Sequence, residues 1–448
     1  MHKLPVLPDG RLEQRFAESK PAYSTGEAVT EANRCLYCVD APCVKACPTG
    51  IDIPTFIHKI RTGNVAGAAR TIFKENLLGA SCARVCPVEV LCAGACVYNA
   101  WGREPIAIGR LQRFATESTL KTTALAKLVP AKKPATNKKV ALVGAGPASL
   151  AAAGMLALEG HKVVIFEKKR FPGGLNTLGI APYKQSGAAA LEEIRHVFEL
   201  GDVELQAGVE VVAGTAGAGQ VSAEQLLADY DAVFLGLGLG ADSALGAPGE
   251  EGPGVYGAVA LIERIKADPT LTLAGVKRAV VVGGGNTAID IAHELKLLGV
   301  ADVAMVYRRS ERDMSGYAHE LAHARKHGVR LVEQRVVTAF ERGADGQLTG
   351  VKLARAENGQ AVKGEEESLA CQLVALAIGQ ATATQVAKGF PGVEIDEKGR
   401  VVVDQKTHRT GHKKVWSGGD CVNGGKEVVN AVQEAKLAVR DMLRALGA

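Results

Sequence analysis

The chain has 448 residues, which is enough for about three domains with well-developed cores. Its 53 basic and 48 acidic side chains are interspersed and leave a net charge of only +5, and aromatic residues make up 4% of the sequence. These figures provide neither the concentrated basic face nor the stacking surfaces that a nucleic-acid-binding protein needs.

Two stretches bear on targeting. Residues 1–9 contain no continuous apolar segment and no cleavage site of the kind found in secretory signals. The longest uncharged run, residues 140–158, approaches the length of a membrane span. Its glycines and proline fit a strand, a turn and a helix better. We therefore expect a cytoplasmic protein that does not associate with a membrane.

Residues 1–117 are predicted to form a mostly helical domain. Ser24 or Thr25 can cap the first helix. Apolar residues recur at spacings of three and four in residues 53–61 and 65–73, which predicts two amphipathic helices. The loops between such helices carry cysteines, so a bound cluster can replace part of a hydrophobic core.

Eight of the ten cysteines lie between positions 35 and 96. The first four form the run C-x2-C-x4-C-x3-C-P. This run is close to the ferredoxin run C-x2-C-x2-C-x3-C-P, in which three cysteines hold one cluster and the fourth reaches a second cluster. By this logic Cys35, Cys38 and Cys43 share one 4Fe-4S cluster. Cys47 then belongs to another.

The remaining ligands must come from the later block Cys86, Cys92 and Cys96. One of these cysteines completes the first cluster and two serve the second, which stays one ligand short. Structural zinc and disulfides are the alternatives. Zinc ribbons usually join two C-x2-C pairs, and only one such pair is present. Disulfides need an oxidising compartment, for which no export signal is visible. Iron–sulfur clusters are therefore favoured.

Residues 118–138 are rich in lysine, threonine and alanine and contain two prolines. This composition is typical of a linker. The alternative is a poorly packed helix over residues 120–128.

A dinucleotide fingerprint follows. Strand-forming residues lead into Gly144 and Gly146, an alanine-rich helix comes next, and a second strand ends at Glu167, 21 residues after Gly146. Gly144 permits the tight turn, and Gly146 lets the backbone approach a pyrophosphate at the N-terminus of the helix. Glu167 is placed to accept hydrogen bonds from ribose hydroxyls. Ser149 replaces the third glycine and is small enough for close packing.

Two further segments indicate that this first nucleotide is FAD. A loop with Gly173 and Gly174 follows Glu167 and suits a bulky ring system. Near the end of the chain a strand runs into Asp420. The order resembles flavoproteins of the two-dinucleotide-binding class, in which such an aspartate contacts the flavin ribityl chain. The predicted FAD residues are Gly144, Gly146, Pro147, Ala148, Glu167, Lys168, Gly174, Leu175, Gly419 and Asp420.

A second fingerprint occupies residues 278–290. Where the first copy ends in Glu167, this copy ends in Arg308 and Arg309, and two guanidinium groups favour a nucleotide with a 2'-phosphate. The alternative is a pair of solvated surface arginines. NADPH is thus the predicted reductant, with NADH the alternative. The predicted NAD(P)H residues are Gly283, Gly285, Asn286, Thr287, Asp290, Arg308 and Arg309.

Buried strands that end in glycine, residues 232–238 and 373–379, mark where the chain crosses between the nucleotide domains. The predicted fold is therefore α/β: an N-terminal all-α domain for two 4Fe-4S clusters, then two Rossmann-like domains of the glutathione-reductase type, the second inserted in the first. The predicted divisions are an iron–sulfur domain at 1–117, a linker at 118–138, an FAD domain at 139–245 and 381–448, and an NAD(P)H domain at 246–380.

The whole chain resembles the N-terminal half of dihydropyrimidine dehydrogenases and the separate bacterial PreT-type subunits. The small subunit of glutamate synthase is a more distant relative. The segments that carry the resemblance are Arg34-Cys35-Leu36-x-Cys38-x-Asp40-Ala41-Pro42-Cys43, Asp52-Ile53, Gly67-Ala68-Ala69, Leu78-Gly79 and Ile108-Gly109-x-Leu111-Gln112-x-Phe114-Ala115-Thr116-Glu117.

This resemblance supplies the missing ligand. It implies that a glutamine oxygen, here that of Gln112, completes the second cluster, where glutamate synthase small subunits carry a glutamate. Cys82 matches a cysteine that is not a ligand. Without the resemblance, Gln112 would be taken for an ordinary helix-surface glutamine. The implied sets are Cys35, Cys38, Cys43 and Cys96 for one cluster, and Cys47, Cys86, Cys92 and Gln112 for the other.

The resemblance implies an electron-input subunit in a heterotetramer. Hydride passes from NAD(P)H to FAD, and single electrons then pass through the clusters to an FMN-containing PreA-like subunit that interconverts uracil or thymine with the 5,6-dihydropyrimidines. We nominate no catalytic side chain, since hydride transfer needs no general base. Cys371 and Cys421 are too far apart in sequence to suggest a redox dithiol. The alternatives are a glutamate synthase small subunit, an NAD(P)H:acceptor oxidoreductase with another partner, and a cluster-bearing scaffold or sensor.

Overall fold

The computed structural model describes residues 4–447, apart from the side chains of Lys363 and Thr384. Residues 1–3 of the N-terminal segment and residue 448 at the end of the last predicted division lie outside this description. Within it, no helix has both the length and the apolar composition that crossing a bilayer requires.

The N-terminal part is helical, as predicted. Ser24 caps the first helix in a capping box: its hydroxyl accepts from the amide of Glu27, whose carboxylate accepts from the amide of Ser24. Apolar side chains such as Phe56 and Leu111 form a core against which several cysteines pack. The helices are α1 (Thr25–Asn33), α2 (Pro42–Lys45), α3 (Ile53–Arg61), α4 (Val65–Glu75), α5 (Gly79–Val85), α6 (Val97–Ala100) and α7 (Ile108–Leu120).

The segment predicted as a linker is packed against the protein. Helix α7 continues to Leu120, and a short 3-10 turn, Leu125–Lys127, follows. Leu125 and Leu128 are buried in the core beneath the first sheet. The amide of Thr136 donates to the carbonyl of Gly160. The side chains and backbone thus hold this segment in place, although its composition resembles that of a flexible connection.

The chain then builds the first part of an α/β unit. The elements are β1 (Lys139–Val143), α8 (Pro147–Leu158), β2 (Lys162–Glu167), α9 (Leu175–Leu178), α10 (Gly187–Phe198), β3 (Val203–Ala207), β4 (Glu210–Val212), β5 (Gln220–Ser222), α11 (Ala223–Asp229), β6 (Ala232–Leu235) and β7 (Leu239–Asp242). Strand β1 is buried along four of its five residues, as expected for a parallel sheet covered on both faces.

A second α/β unit follows. Its elements are β8 (Val255–Gly257), α12 (Ala258–Ala267), β9 (Arg278–Val282), α13 (Asn286–Leu297), β10 (Asp302–Tyr307), α14 (Ala318–Lys326), β11 (Val329–Glu333), β12 (Arg335–Arg342), β13 (Leu348–Glu357), β14 (Gln360–Ala370) and β15 (Leu373–Leu376). Five parallel strands in the order β11-β10-β9-β15-β8 form its main sheet, and β12, β13 and β14 form an antiparallel sheet.

The last elements return to the first sheet. They are β16 (Gln380–Thr382), α15 (Thr384–Lys388), β17 (Val415–Ser417), α16 (Asp420–Asn423) and α17 (Val428–Leu446). Strand β16 pairs with β7 where the chain crosses between units, and β17 completes the parallel order β17-β6-β1-β2-β3. The predicted fold class, with one nucleotide-binding unit inserted in another, is confirmed.

The N-terminal segment ties the two units together. Leu12 is buried in the core of the second unit. The carboxylate of Glu13 accepts a hydrogen bond of 2.7 Å from the amide of Gly187 in the first unit and lies 3.4 Å from Nζ of Lys266 in the second. Both side chains of this ion pair are buried. The segment therefore contacts both units although it belongs to neither sheet.

Candidate functional site

A cavity of about 530 Å³ opens where the carboxyl ends of β1, β6 and β17 meet. This edge is where ligands bind in open parallel sheets. Asn286 and Asp290 of the second unit also line the cavity. All ten residues predicted to hold FAD lie in its wall: Gly144, Gly146, Pro147, Ala148, Glu167, Lys168, Gly174, Leu175, Gly419 and Asp420.

The two fingerprint glycines are needed for different reasons. Gly144 has φ of +88°, and a Cβ there would lie 2.5 Å from the carbonyl oxygen of Gly236, so the fold itself requires glycine. Gly146 has φ of −75°, and a Cβ there would have no protein atom within 4 Å. The space beside Gly146 is open to a ligand. Because no side chain caps the first turn of α8, its amides are available to a pyrophosphate.

Glu167 holds the glycine turn as well as lining the cavity. One carboxylate oxygen accepts from the amide of Ala145 at 2.7 Å, and the other accepts from the amide of Lys169 at 2.8 Å. Each oxygen can accept a further hydrogen bond, so a ribose contact is compatible with this geometry. That contact stays a prediction.

Asp420 begins α16, two glycines after the end of β17. Its Oδ1 accepts from the amide of Lys426 at 3.2 Å. Burial raises the pKa of Asp420 to about 6, with the nearby carboxylate of Glu434 adding to the effect. Such a carboxylate gains from a hydroxyl donor, which the ribityl chain of FAD would supply. The glycine cradle and this acceptor together fit the cofactor.

Sequence reasoning missed a cationic centre between the two units. Nζ of Lys184 lies 2.7 Å from Oδ1 of Asp290 and 2.8 Å from Oε2 of Glu320. The hydroxyl of Tyr183 also donates to Asp290. Burial alone would lower the pKa of Lys184, but the carboxylates of Asp290 and Glu320 outweigh it and raise that pKa. The ammonium group therefore stays charged beside the cavity.

The second fingerprint has the shape that its sequence predicts. Gly283 has φ of +144°, and a Cβ there would collide with the carbonyl oxygen of Ala377. Gly285 is the residue that precedes α13. The amide of Tyr317 donates to Oδ1 of Asn286, which orients that side chain at the cavity. Thr287 lies in the first turn of α13 but is not part of the cavity wall.

Arg308 and Arg309 follow directly after β10, at the carboxyl end of the second sheet. Both side chains are exposed. The guanidinium of Arg309 lies 5.5 Å from the ring centroid of Tyr307. Within residues 4–447 neither arginine pairs with a carboxylate, so both are available to an anion. Their role in holding a 2'-phosphate stays a prediction.

Four cysteines of the helical part surround one small cavity. Apolar side chains such as Ile53 and Ile57 complete its wall. Burial raises the pKa of Cys43 to about 11, and the neighbouring thiol of Cys35 adds to the effect. A metal cluster would reverse this situation, because it binds and stabilises thiolates. The four cysteines are those of the first implied ligand set: Cys35, Cys38, Cys43 and Cys96.

The three cysteines of the second implied set, Cys47, Cys86 and Cys92, also lie near one another. Burial raises the pKa of Cys92 to about 12, with the thiol of Cys47 the next cause. A hydrogen bond with Cys82, burial and the thiols of Cys92 and Cys47 raise the pKa of Cys86 well above its ordinary value. Nδ2 of Asn76 lies 3.1 Å from Sγ of Cys82, which gives this sulfur a protein partner.

Gln112 is buried rather than on a helix surface. It is 7% exposed, and its Nε2 donates to the carbonyl of Gly79 at 2.8 Å. This hydrogen bond fixes the amide at the start of α5, the helix that leads to Cys86. Its role as a cluster ligand stays a prediction. All ten cysteines are free thiols in this structure.

Glu193 on α10 fastens the helical part to the first unit. Its carboxylate accepts from the amides of Ala80 and Ser81 and from the hydroxyl of Ser81. Burial raises the pKa of Glu193 to about 7 despite these hydrogen bonds. Nδ2 of Asn176, which lines the cavity, donates to the same hydroxyl at 2.8 Å. Helix α5 is therefore held against the cofactor cavity.

Comparison with known proteins follows the same division. The family described as dihydropyrimidine dehydrogenase domain II, 4Fe-4S cluster, matches residues 12–124. The family described as pyridine nucleotide-disulphide oxidoreductase matches residues 138–435. The chain belongs to the pyridine nucleotide-disulphide oxidoreductase family. This family member carries a 4Fe-4S domain, binds FAD and NAD(P)H, and is an NAD(P)H-dependent flavin and iron–sulfur oxidoreductase.

Relatives of this oxidoreductase include two kinds of subunit. The glutamate synthase (NADPH) small chain of Halomonas elongata is 35% identical over 96% of this chain and 93% of its own. The NAD-dependent dihydropyrimidine dehydrogenase subunit PreT of Escherichia coli is 34% identical over 94% of this chain and 95% of its own. The resemblance to both kinds of subunit is confirmed. The expectation that glutamate synthase small subunits are the more distant relatives is wrong, because the two relatives are about equally similar to this chain.

A solved structure shows the same fold. Thioredoxin reductase of T. acidophilum superposes with a TM-score of 0.56 and 22% identity, covering 70% of this chain and all of its own.

Proposed function

We propose that this oxidoreductase is the electron-input subunit of a dihydropyrimidine dehydrogenase. The chain would accept hydride from NAD(P)H at the cofactor cavity and deliver single electrons through two 4Fe-4S clusters to an FMN-containing PreA-like subunit. That subunit would interconvert uracil or thymine with 5,6-dihydropyrimidines, in either direction. The observation that carries this proposal over its rivals is the buried Gln112, packed against the helix that leads to Cys86.

The cavity and the second cysteine group adjoin each other. Val85 and Pro87 line the cavity, and Cys86 lies between them in the chain. Bound FAD would link two-electron transfer from a pyridine nucleotide to one-electron transfer into iron–sulfur clusters. The cysteines Cys47, Cys86 and Cys92, with Gln112, would hold the cluster nearest the cavity.

The first cysteine group lies toward the surface. Leu36 is 46% exposed and Val39 is fully exposed, and both belong to the loop that carries Cys35 and Cys38. Apolar side chains at such positions suit a docking protein that must come close to the cluster. We infer that the PreA-like partner covers this loop and that the cluster of Cys35, Cys38, Cys43 and Cys96 is the exit.

An exit through a dithiol is unsupported. Cys371 is buried in the core around β13 and β15 of the second unit, whereas Cys421 is buried in a different core. The sulfur of Cys421 contacts the carbonyl of Leu235 and the hydroxyl of Ser417. Because Cys371 and Cys421 lie in different cores, these two thiols do not form a redox pair.

A glutamate synthase small subunit is the second candidate. The extent of the likeness to the Halomonas elongata chain favours it, since the alignment spans nearly both proteins. Under that function the same cavity and clusters would feed a large subunit that makes glutamate from glutamine and 2-oxoglutarate. The presence of Gln112 in place of a glutamate speaks for the pyrimidine enzyme.

The experiment is anaerobic reduction of the purified chain by NADPH and NADH in parallel, with and without a PreA-like subunit. We expect flavin bleaching by one nucleotide, and uracil consumption only with the partner. A second arm supplies glutamate synthase large subunit, glutamine and 2-oxoglutarate. Glutamate formation in that arm without uracil consumption in the first would overturn the proposal in favour of the second candidate. Bleaching with neither product would assign the chain to another acceptor.

A further inference from the structure

Three histidine rings meet beside helices α13 and α14 of the second unit. His293 lies on α13, His323 lies on α14, and His327 directly follows the end of α14. The ring centroid of His293 lies 4.6 Å from that of His327 and 4.9 Å from that of His323. The ring centroids of His323 and His327 are 4.9 Å apart. Each ring therefore contacts the other two. The cofactor site and the clusters use none of them.

The nitrogen atoms of the three rings also lie close to one another. Nε2 of His293 lies 3.0 Å from Nδ1 of His327, and one nitrogen from each ring falls within 4.8 Å of the others. In a tetrahedral zinc site with Zn–N bonds of about 2.0–2.1 Å, ligand nitrogens lie about 3.4 Å apart. Small rotations of the exposed rings would bring the three nitrogens to that spacing.

The surroundings favour an uncharged ring at His293. His293 is 2% exposed, and burial, followed by the rings of His327 and His323, lowers its pKa to about 3. A neutral imidazole is the form that ligates metals. The nearby ammonium of Lys184 is neutralised by Asp290 and Glu320, so it presents no unpaired positive charge to an incoming cation.

We propose that His293, His323 and His327 form a binding site for a first-row transition cation of borderline softness, with Zn²⁺ as its best-fitting occupant. Three imidazoles suit such ions, whereas Mg²⁺ and Ca²⁺ require oxygen ligands. The exposed rings of His323 and His327 give the ion access from solvent, and water takes the remaining position. The bound ion joins α13 to α14.

The site also contacts the cofactor region. The ring of Tyr183 packs against His293 with centroids 4.6 Å apart, and the hydroxyl of Tyr183 donates to Asp290 in the cavity wall. An ion that fixes His293 therefore also fixes the face on which Tyr183 rests. The histidine site would bind its ion whichever electron acceptor the chain serves.

The test compares zinc binding by the holoprotein and two variants. The double variant H323A/H327A removes the two exposed ligands and leaves the buried His293 in place, so the core stays filled. The control H319A removes another histidine of α14, which faces Glu89 and lies outside the group. Each protein keeps its clusters and flavin, verified by iron, sulfide and FAD content, so that the cluster cysteines are occupied.

Equilibrium dialysis against buffered Zn²⁺ under anaerobic conditions gives the stoichiometry and affinity. We expect wild type and H319A to bind one more Zn²⁺ per chain than the double variant, in which a single imidazole remains. A thermal shift on zinc addition should appear in the first two proteins and be absent in the third. Equal zinc content and equal shifts in all three proteins would overturn the proposal.

Discussion

The ammonium group of Lys184 and the carboxylate of Asp290 lie 2.7 Å apart and connect the two nucleotide-binding units across the cofactor cavity. Lys184 comes from the first unit, between α9 and α10, and Asp290 comes from α13 of the second. Glu320 of α14 completes the group at 2.8 Å. One cation thus balances two acids where the cofactors would meet.

Replacing that cation should weaken the junction. In K184M the carboxylates of Asp290 and Glu320 would face each other unpaired in a largely buried place, which costs about 2–4 kcal/mol. We expect a melting temperature several degrees below wild type, followed by flavin release. The surface pair Arg330–Asp302 offers a control, since R330M should cost under about 1 kcal/mol. Equal losses in the two variants would show that the Lys184 group has no special role.

The two fingerprint glycines should respond differently to substitution. In G146A the added methyl group meets no protein atom but enters the space of the pyrophosphate, so we expect normal folding and FAD binding weaker by about 1–3 kcal/mol. In G144A the methyl group meets the carbonyl of Gly236, and the fold itself should be destabilised. Flavin titration and thermal melts of both apoproteins separate these effects. A G146A protein that binds FAD as tightly as wild type would contradict the placement.

Nucleotide choice should depend on the arginines after β10. Each charged hydrogen bond to a 2'-phosphate contributes about 1.5–3 kcal/mol. We therefore expect R308S/R309S to raise the KM for NADPH by at least about tenfold and to leave the KM for NADH unchanged. Arg312, an exposed arginine in the same loop, is the matched control, and R312S should behave as wild type. If the double variant changes the KM for NADPH and the KM for NADH equally, Arg308 and Arg309 do not bind the 2'-phosphate.

Gln112 should be needed for one cluster only. Q112A removes the oxygen that would complete the second ligand set, and we expect about half of the iron and sulfide of wild type to remain. C82S is the control, because the family resemblance gives Cys82 no ligand role and a serine hydroxyl can keep the contacts of Cys82 with Asn76 and Cys86. The C82S protein should retain both clusters. Iron analysis and electron paramagnetic resonance of the reduced proteins provide the measurement. Full iron in Q112A together with loss in C82S would exchange the roles of the two residues.

Glu193 should make stability depend on pH. Its pKa of about 7 in the folded protein exceeds the ordinary value of 4.5, so the folded state holds the proton more tightly than the unfolded chain. The resulting stabilisation is complete below about pH 4.5 and is lost as the pH rises to about 7, a difference of about 3 kcal/mol.

This dependence can be followed by melts at several pH values. E193Q cannot ionise at this position. As the pH rises from about 5.5 to 7.5, its melting temperature should fall less than that of wild type. The neighbouring E192Q, at an exposed carboxylate, should retain the wild-type profile. If the melting temperatures of wild type and E193Q change in parallel with pH, a group other than Glu193 causes the pH dependence.

Local sequence patterns predicted the glycine turn and the acidic residue in the wall of the cofactor cavity. Gly144, Gly146 and Glu167 belong to one continuous strand–turn–helix–strand unit, whose geometry is set by nearby residues. Lys184 and Glu320 were missed because they meet only through tertiary folding, and lysine and glutamate are common in any sequence. The packing of residues 118–138 was missed for the same reason. Leu125 and Leu128 are buried against residues that are distant in the sequence, so the local composition indicated only a linker.

The position of Glu13 between Gly187 and Lys266 has a mechanical consequence. Rotation of one nucleotide-binding unit against the other would pull Glu13 away from Gly187 or from Lys266, and moving a buried carboxylate away from a cation is costly. The N-terminal segment therefore opposes this rotation. We expect a chain without the residues before α1 to allow larger relative movement of the two units.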